Sequence, residues 1–317
     1  MTATTIAALS GVRLDAWSSL RTVMICVLGV LIGSSFTPDI LGALPKWAGA
    51  ILILIVHMGV VSVLCHAFLH RIAHLDQITA FFSSAPGGLT NMVIQAEEAG
   101  ADVRAVSLIH AARILVVVAI VPVYFRLTHH ISTSMLPPSP VHGRLTLEEL
   151  AILIACAVGG TAVGNMLRMP TPALLGPMAV SILAHVTGTS HIAPPSALVA
   201  AAQVVIGAGI GLRFVGSRFA DLTHSVIYGA GSALIMIVAA CVTAEVTSRI
   251  LGLRMEAMVL SLVPGGLTEM SLVALALGIE TAFVATMHVV RILLVIVGAP
   301  LLFRGFSRAN EDLTPRV

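Results

Sequence analysis

The sequence predicts an all-α integral membrane protein of about ten membrane elements, arranged as two homologous repeats with helices broken at Pro-Gly-Gly. Three observations point there. Of the 317 residues, 57% are hydrophobic and only 10% charged, against about 25% charged in soluble domains. Mean hydropathy is +1.02, and so few charges cannot cover a water-facing surface. Stretches free of Asp, Glu, Lys and Arg recur at the length of roughly 20 residues that a bilayer requires. Finally, the second half of the chain repeats the first. The net charge of +2 shows no bias toward polyanions, and no direct nucleic-acid partner is expected. The bilayer itself is the partner that the composition demands.

The elements follow in order. Met1–Trp17 is polar and lacks the apolar core of a signal peptide, so the first apolar run, from Thr22, is expected to stay as an anchor. It lies in the 17 uncharged residues between Arg21 and Asp39, and 24 more separate Lys46 from Arg71. An interrupted element spans Asp76 to Glu97 around Pro86-Gly87-Gly88, and a helix from about Val103 to Tyr124 carries Arg113 within it. A span between Glu149 and Arg168 is followed by 44 uncharged residues ending before Arg213. Those are too many for one helix, and Pro194-Pro195 divides them. Asp221–Glu245 gives a further span. Met255–Leu277 is interrupted at Pro264-Gly265-Gly266, and a last helix covers about Thr281 to Phe303. Cys26, Cys65, Cys156 and Cys241 sit singly in apolar stretches and read as small buried hydrophobes.

Shifting the chain by 178 aligns Met24–Arg126 with Ala202–Arg304 without a gap, and 29 of the 103 pairs are identical. Such self-similarity is a duplication signal. Ala85-Pro-Gly-Gly-Leu-Thr-Asn-Met92 pairs with Val263-Pro-Gly-Gly-Leu-Thr-Glu-Met270, and His110-x-x-Arg113-Ile-Leu pairs with His288-x-x-Arg291-Ile-Leu. The organisation read from this is a first membrane repeat over 1–126, a polar linker over 127–146, a second repeat over 147–304 and a polar tail over 305–317. The first repeat is the shorter, because Leu147–Val199 has no counterpart before it.

The paired Pro-Gly-Gly-Leu-Thr-(Asn/Glu)-Met motifs, each followed by a helix with His-x-x-Arg, resemble the membrane AbrB duplication family. Its bacterial members carry the labels ammonia monooxygenase and AbrB regulator. The resemblance runs from about residue 24 to 304. It implies a multi-pass protein of the bacterial inner membrane and a link to regulation of gene expression. The shortened first repeat departs from the family's pattern of two full copies.

Chemistry concentrates at the two interruptions. Proline and glycine break the helix, and the backbone groups so freed need protein, water or ligand partners. New half-helices starting near Leu89 and Leu267 would aim N–H groups into the breaks. The candidate substrate-binding residues are Gly87, Gly88, Thr90, Asn91, Gly265, Gly266, Thr268 and Glu269, with His110, Arg113, His288 and Arg291 from the following helices. Each has a plainer alternative. The breaks could be packing kinks. Glu269 could cap its half-helix, pair with Arg291, or serve as a proton- or cation-linked carboxylate, since only one copy is ionisable there. The arginines could bind an anion, or lock helices together through Glu269 or a carbonyl. His66, His70 and His74, four apart, suggest either a metal face or a polar helix end, and the second is preferred.

No catalytic residue, cofactor or metal site emerges. A monooxygenase needs an organised copper, iron or flavin site, and no cysteine cluster, carboxylate–histidine set or dinucleotide glycine pattern is present. The protein is therefore not expected to be an enzyme. Duplicated halves with broken helices are transporter-like. The expectation is a secondary transporter moving a small metabolite, anionic if the arginines face the site, through a site between the repeats, with a coupling ion as a further ligand. The alternative is a membrane-embedded regulator of gene expression that acts indirectly, without touching DNA.

Overall fold

A computed structural model describes residues 18–38, 44–128, 146–211 and 219–311. The polar opening Met1–Trp17, most of the linker with His129-His130 and Pro137-Pro138, Arg213, Arg218 and the end of the tail lie outside the described residues. Among those described there is no strand. The helices, in chain order, are α1 Ser18–Ser34, α2 Leu44–Arg71, α3 Gln77–Ser84, α4 Leu89–Glu98, α5 Val103–Thr128 and α6 Leu147–Met166. They continue with α7 Pro172–Val186, α8 Ser196–Gly211, α9 Phe219–Leu251, α10 Met255–Leu262, α11 Leu267–Ala276 and α12 Thr281–Glu311.

Among the described residues, five helices are long and apolar enough to cross a membrane: Pro45–Arg71, Val103–Phe125, Leu147–Met166, Ser225–Leu251 and Thr281–Phe303. The remaining apolar helices, including α1, α7 and α11, are shorter. The exposed surface of the long helices is apolar. Leu234, Val238, Val242, Val246 and Ile250 form an outward stripe along α9, and Leu52, Val56, Val60 and Val63 another along α2. Patches of this size would drive association in water; a bilayer is their natural solvent. This is a membrane protein.

The chain divides into two compact units, each assembled from separate stretches. The first comprises Met1–Trp47, Pro122–Arg218 and Leu267–Ala285. In it α7 is gripped on two sides by glycine-bearing helices. Gly29 and Gly33 of α1 lie against Leu174, Pro177, Met178 and Ser181. Gly160 and Gly164 of α6 lie against Pro172, Gly176 and Pro177. Without a water-driven hydrophobic force between helices, such close backbone approach supplies the packing energy. The Ser181 hydroxyl donates to Val30 O across 2.8 Å, which satisfies the polar group inside the seam. Trp47 meets Phe36 and Phe283 edge-on.

The second unit comprises Ala48–Val121, Phe219–Gly266 and Thr286–Val317. Here Val61 and Cys65 of α2 pack on Met236 of α9, and the Phe68 ring covers Gly231. The short helix α3 is secured at its start by Asp76, which accepts from the Ile78 and Thr79 amides. Asp102 caps α5 in the same way, accepting from Arg104 N and Ala105 N, while its own amide donates to Thr79 Oγ1. His66, His70 and His74 lie at a helix end, the preferred reading of that histidine row, and do not share one helical face. α2 ends at Arg71, and His74 takes φ 55°, which turns it off the helical row. His66 and His70 stack with centroids 5.8 Å apart, and His70 bonds Leu75 O at 2.8 Å.

The α6–α7 seam leaves no room for a methyl group. A Cβ on Gly176 would lie 2.0 Å from Gly160 O, whereas one on Gly159 would meet nothing within 4 Å. Gly176→Ala should therefore lower stability by about 1–3 kcal/mol or more, read as thermal unfolding in detergent. Gly159→Ala should leave it unchanged or raised, and equal behaviour of the two would contradict this packing.

Candidate functional site

The site grows out of two places where helix stops inside an apolar protein. α3 ends at Ser84, Ala85 is extended (φ −60°, ψ 131°), and α4 starts after an extended Gly88. α10 ends at Leu262 with Val263 extended (φ −62°, ψ 136°), and α11 starts at Leu267. Ending a helix strands the carbonyls of its last turn, and Pro86 and Pro264 bring no N–H of their own. Stranded carbonyls away from water must find donors.

Those donors come from α5 and α12. Arg113 donates from Nη1 to Ala85 O at 3.0 Å and from Nη2 to Gly87 O at 3.3 Å. Arg291 donates from Nη1 to Val263 O at 2.8 Å and from Nη2 to Gly265 O at 2.5 Å. One turn earlier, His110 donates from Nε2 to Phe82 O and His288 to Leu260 O, both at 2.9 Å. Every donor and acceptor of the second set lies 178 positions after its counterpart in the first. The i, i+3 spacing puts the imidazole and guanidinium on one helix face, where they follow the carbonyls of the interrupted segment. A guanidinium suits this work because its planar fork can serve two acceptors at once.

The two clusters are not identical. His110 Nδ1 accepts from Arg113 Nη2 at 2.7 Å. A carbonyl only accepts and a guanidinium only donates, so His110 is the neutral Nε2–H tautomer. His288 Nδ1 is buried with no hydrogen-bond partner. Pro86 and Pro264 are both buried, but Gly265 is buried and Gly266 half-buried where Gly87 is half-buried and Gly88 exposed.

The glycines at the breaks do not take left-handed backbone. Positive φ occurs instead at Gly100, Gly188, Gly252 and Gly278. Gly87 is required by close approach, since a Cβ there would sit 2.6 Å from Val295 Cγ1. Gly88 faces open space.

The structure thus brings Gly87, His110 and Arg113 together, and likewise Gly265, His288 and Arg291, all in the second unit. Of the roles weighed for the arginines, binding to carbonyls is the one the geometry displays. Thr268 and Glu269 belong to the first unit, in the opening turn of α11. Glu269 is only 9% exposed, and no described residue hydrogen-bonds its carboxylate. Asn91 is half-buried, and the Thr90 side chain lies outside what is described. One buried polar contact had no sequence signal: His57 Nδ1 sits 3.0 Å from Thr243 Oγ1, and His57 has no histidine partner at the 178 offset.

Because His110 serves two partners and His288 one, removal should cost unequally. His110→Ala strands Phe82 O and deprives Arg113 of an acceptor; His288→Ala strands only Leu260 O. The first should be less stable by roughly 1 kcal/mol in thermal unfolding, and equal losses would count against the asymmetry.

Residues 1–307 match the family described as "Transition state regulatory protein AbrB". Two curated relatives are similar over most of their length. One is "Uncharacterized protein YhjN" of Bacillus subtilis (strain 168), 30% identical over 88% of this chain and 76% of the relative. The other is "Putative regulator AbrB" of Escherichia coli (strain K12), 26% identical over 97% of this chain and 88% of the relative. With a match that runs almost end to end, the chain belongs to the AbrB family of membrane proteins.

Proposed function

We propose that this protein is a multi-pass inner-membrane secondary transporter, built from two homologous repeats of about ten membrane elements in all. It moves a small metabolite through a site where the repeats meet, at the helices interrupted by Pro-Gly-Gly. The observation that carries this reading is the matched pair of interruptions, each with its stranded carbonyls held by a buried His-x-x-Arg. A break kept only as a kink could be healed by a helix-forming sequence. Maintaining two of them with buried guanidiniums commits costly groups to an opening that ordinary packing does not need. Interrupted helices at corresponding places in duplicated halves are how many transporters present half-helix ends to a substrate.

Glu269 is the acidic group assigned to substrate or coupling-ion binding. It is buried, it lies in the first turn of a half-helix, and no described residue donates to its carboxylate. No catalytic step forms part of this reading, and stoichiometric copper or iron in the purified protein would argue for an oxygenase instead.

A second reading, indirect regulation of gene expression, is favoured by the family's description and the name of the Escherichia coli relative. The chain would then act through a partner or through the effector it moves. A deletion strain separates the two. Rescue by a metabolite supplied in the medium supports transport; rescue only by the protein supports signalling.

In proteoliposomes, uptake of the substrate identified by that rescue should fall at least about tenfold in Glu269→Gln. That corresponds to losing one charge-assisted contact of about 1.5–3 kcal/mol. Wild-type uptake matched by the variant would remove Glu269 from the site, and absence of protein-dependent uptake would end the transport reading.

A further inference from the structure

The two His-x-x-Arg clusters share their residues and differ in where one nitrogen points. Arg113 and Arg291 each hold the first stranded carbonyl through Nη1, Ala85 O at 3.0 Å and Val263 O at 2.8 Å. Their Nη2 atoms part company. Arg113 Nη2 lies 2.7 Å from His110 Nδ1 and 3.3 Å from Gly87 O. Arg291 Nη2 lies 2.5 Å from Gly265 O, and His288 Nδ1 is buried without a partner. The same guanidinium nitrogen thus chooses between an imidazole and a glycine carbonyl, and the two clusters choose differently.

Nothing in the second cluster bars the other choice. His288 stands three residues before Arg291 on α12, as His110 stands before Arg113 on α5, so each pair shares a helix face. Leu260 O only accepts, so the ring hydrogen of His288 lies on Nε2. The neutral ring then offers Nδ1 as an acceptor, in the tautomer that His110 adopts. A turn of the guanidinium about its Nη1 anchor would bring Nη2 to that atom without moving α12. A buried acceptor left empty costs free energy, so the second cluster holds a hydrogen bond in reserve.

Exposure of the breaks follows the same difference. Where the guanidinium leans to histidine, Ala85 and Gly87 are half-buried and Gly88 is exposed. Where it takes the glycine carbonyl, Val263 and Gly265 are buried and Gly266 is half-buried. The carbonyl gripped at short range belongs to the covered segment, and the one held at 3.3 Å belongs to the uncovered one.

We propose that each histidine–arginine pair is a two-position latch on its break. With Nη2 on the glycine carbonyl the Pro-Gly-Gly segment is closed; with Nη2 on histidine Nδ1 it is open. The second break, latched shut in this structure, opens when Arg291 turns from Gly265 O to His288 Nδ1. Packed interiors support switching of this kind because they offer discrete arrangements, not a continuum. The latch rests on the transport reading for what the opening admits, a solute reaching the interrupted segment, and on the two clusters alone for its motion.

The test is hydrogen–deuterium exchange, read by mass spectrometry on the full-length chain in detergent, of the amides at 87–91 and 265–269. In the wild type the first set should exchange faster, and the second should exchange through local opening, well before amides in the middle of α12. His288→Gln keeps an N–H donor for Leu260 O and removes the Nδ1 acceptor. It should slow exchange at 265–269 about threefold or more and leave 87–91 unchanged, while His110→Gln should do the converse. A histidine that only braced its helix would give the opposite sign, because its loss would speed exchange. Faster or unchanged exchange at 265–269 in His288→Gln therefore overturns the latch. Should that variant not fold, the wild type decides: amides at 265–269 that exchange only together with those of mid-α12, in global unfolding, overturn it as well. The latch seen by exchange in a protein that moves no solute into proteoliposomes would stand while the transport reading fell. Uptake by a protein whose segment opens only on global unfolding would do the reverse.

Discussion

The constraint on which the rest depends is that a backbone carbonyl shielded from water needs a donor. Two interruptions in an apolar helical protein create such carbonyls by the handful, and this chain answers with side chains rather than solvent. The choice of arginine follows from geometry. A lysine ammonium is a point donor, whereas the guanidinium fork reaches Ala85 O and Gly87 O, or Val263 O and Gly265 O, from one position. The histidine one turn earlier takes the next carbonyl back, and Arg113 orients His110 in return. Held in this way, the non-helical segments have fixed anchors, and the half-helices that begin after them have defined starting points.

The same constraint explains the division of labour between the two units. Where helices are unbroken, backbone groups are satisfied internally and contact can be made by shape alone. Gly29, Gly33, Gly160, Gly164 and Gly176 build the first unit's seams that way, with one serine hydroxyl returned to Val30 O. Where helices are broken, shape is not enough and charge enters the interior. The second unit accordingly holds both buried arginines and both buried His-x-x-Arg histidines.

Much of this was legible in the sequence, though unevenly. Scarcity of charge and the lengths between charged residues indicated long apolar helices, because a bilayer sets length directly. The Pro-Gly-Gly motifs and the His-x-x-Arg pairs stood out because they recur at a fixed offset. Their mutual contacts did not, since Arg113 and Ala85 are 28 residues apart and nothing local links them. The sequence therefore left an anion, Glu269 and a carbonyl open as partners for the arginines. The glycines of the breaks do not take left-handed backbone; at Gly87 the reason for glycine is the nearness of Val295. The α1, α6 and α7 seams had a local signal, the Gly-x-x-x-Gly spacings at 29–33 and 160–164. His57 and Thr243 had none, because a single histidine in an apolar helix announces no partner.

The carbonyl clamps also bear on ion coupling. Unwound backbone in transporters commonly supplies carbonyl oxygens to a sodium ion. Here the carbonyls of Ala85, Gly87, Val263 and Gly265 already hold a guanidinium, so a metal cation at any of them would sit beside a fixed positive charge of the protein. At 4 Å and an effective dielectric near 20 that repulsion is about 4 kcal/mol, enough to cancel most of what two neutral carbonyls provide. The arginines thus replace a mobile cation with a permanent one. Such a cation cannot be released to drive a cycle, so coupling to a cation would have to run through an acid away from these clamps. Among the residues of the two motifs only Glu269 is acidic, and the first motif has Asn91 in its place. Two clamps of like charge with a single acid make the two Pro-Gly-Gly segments chemically unequal.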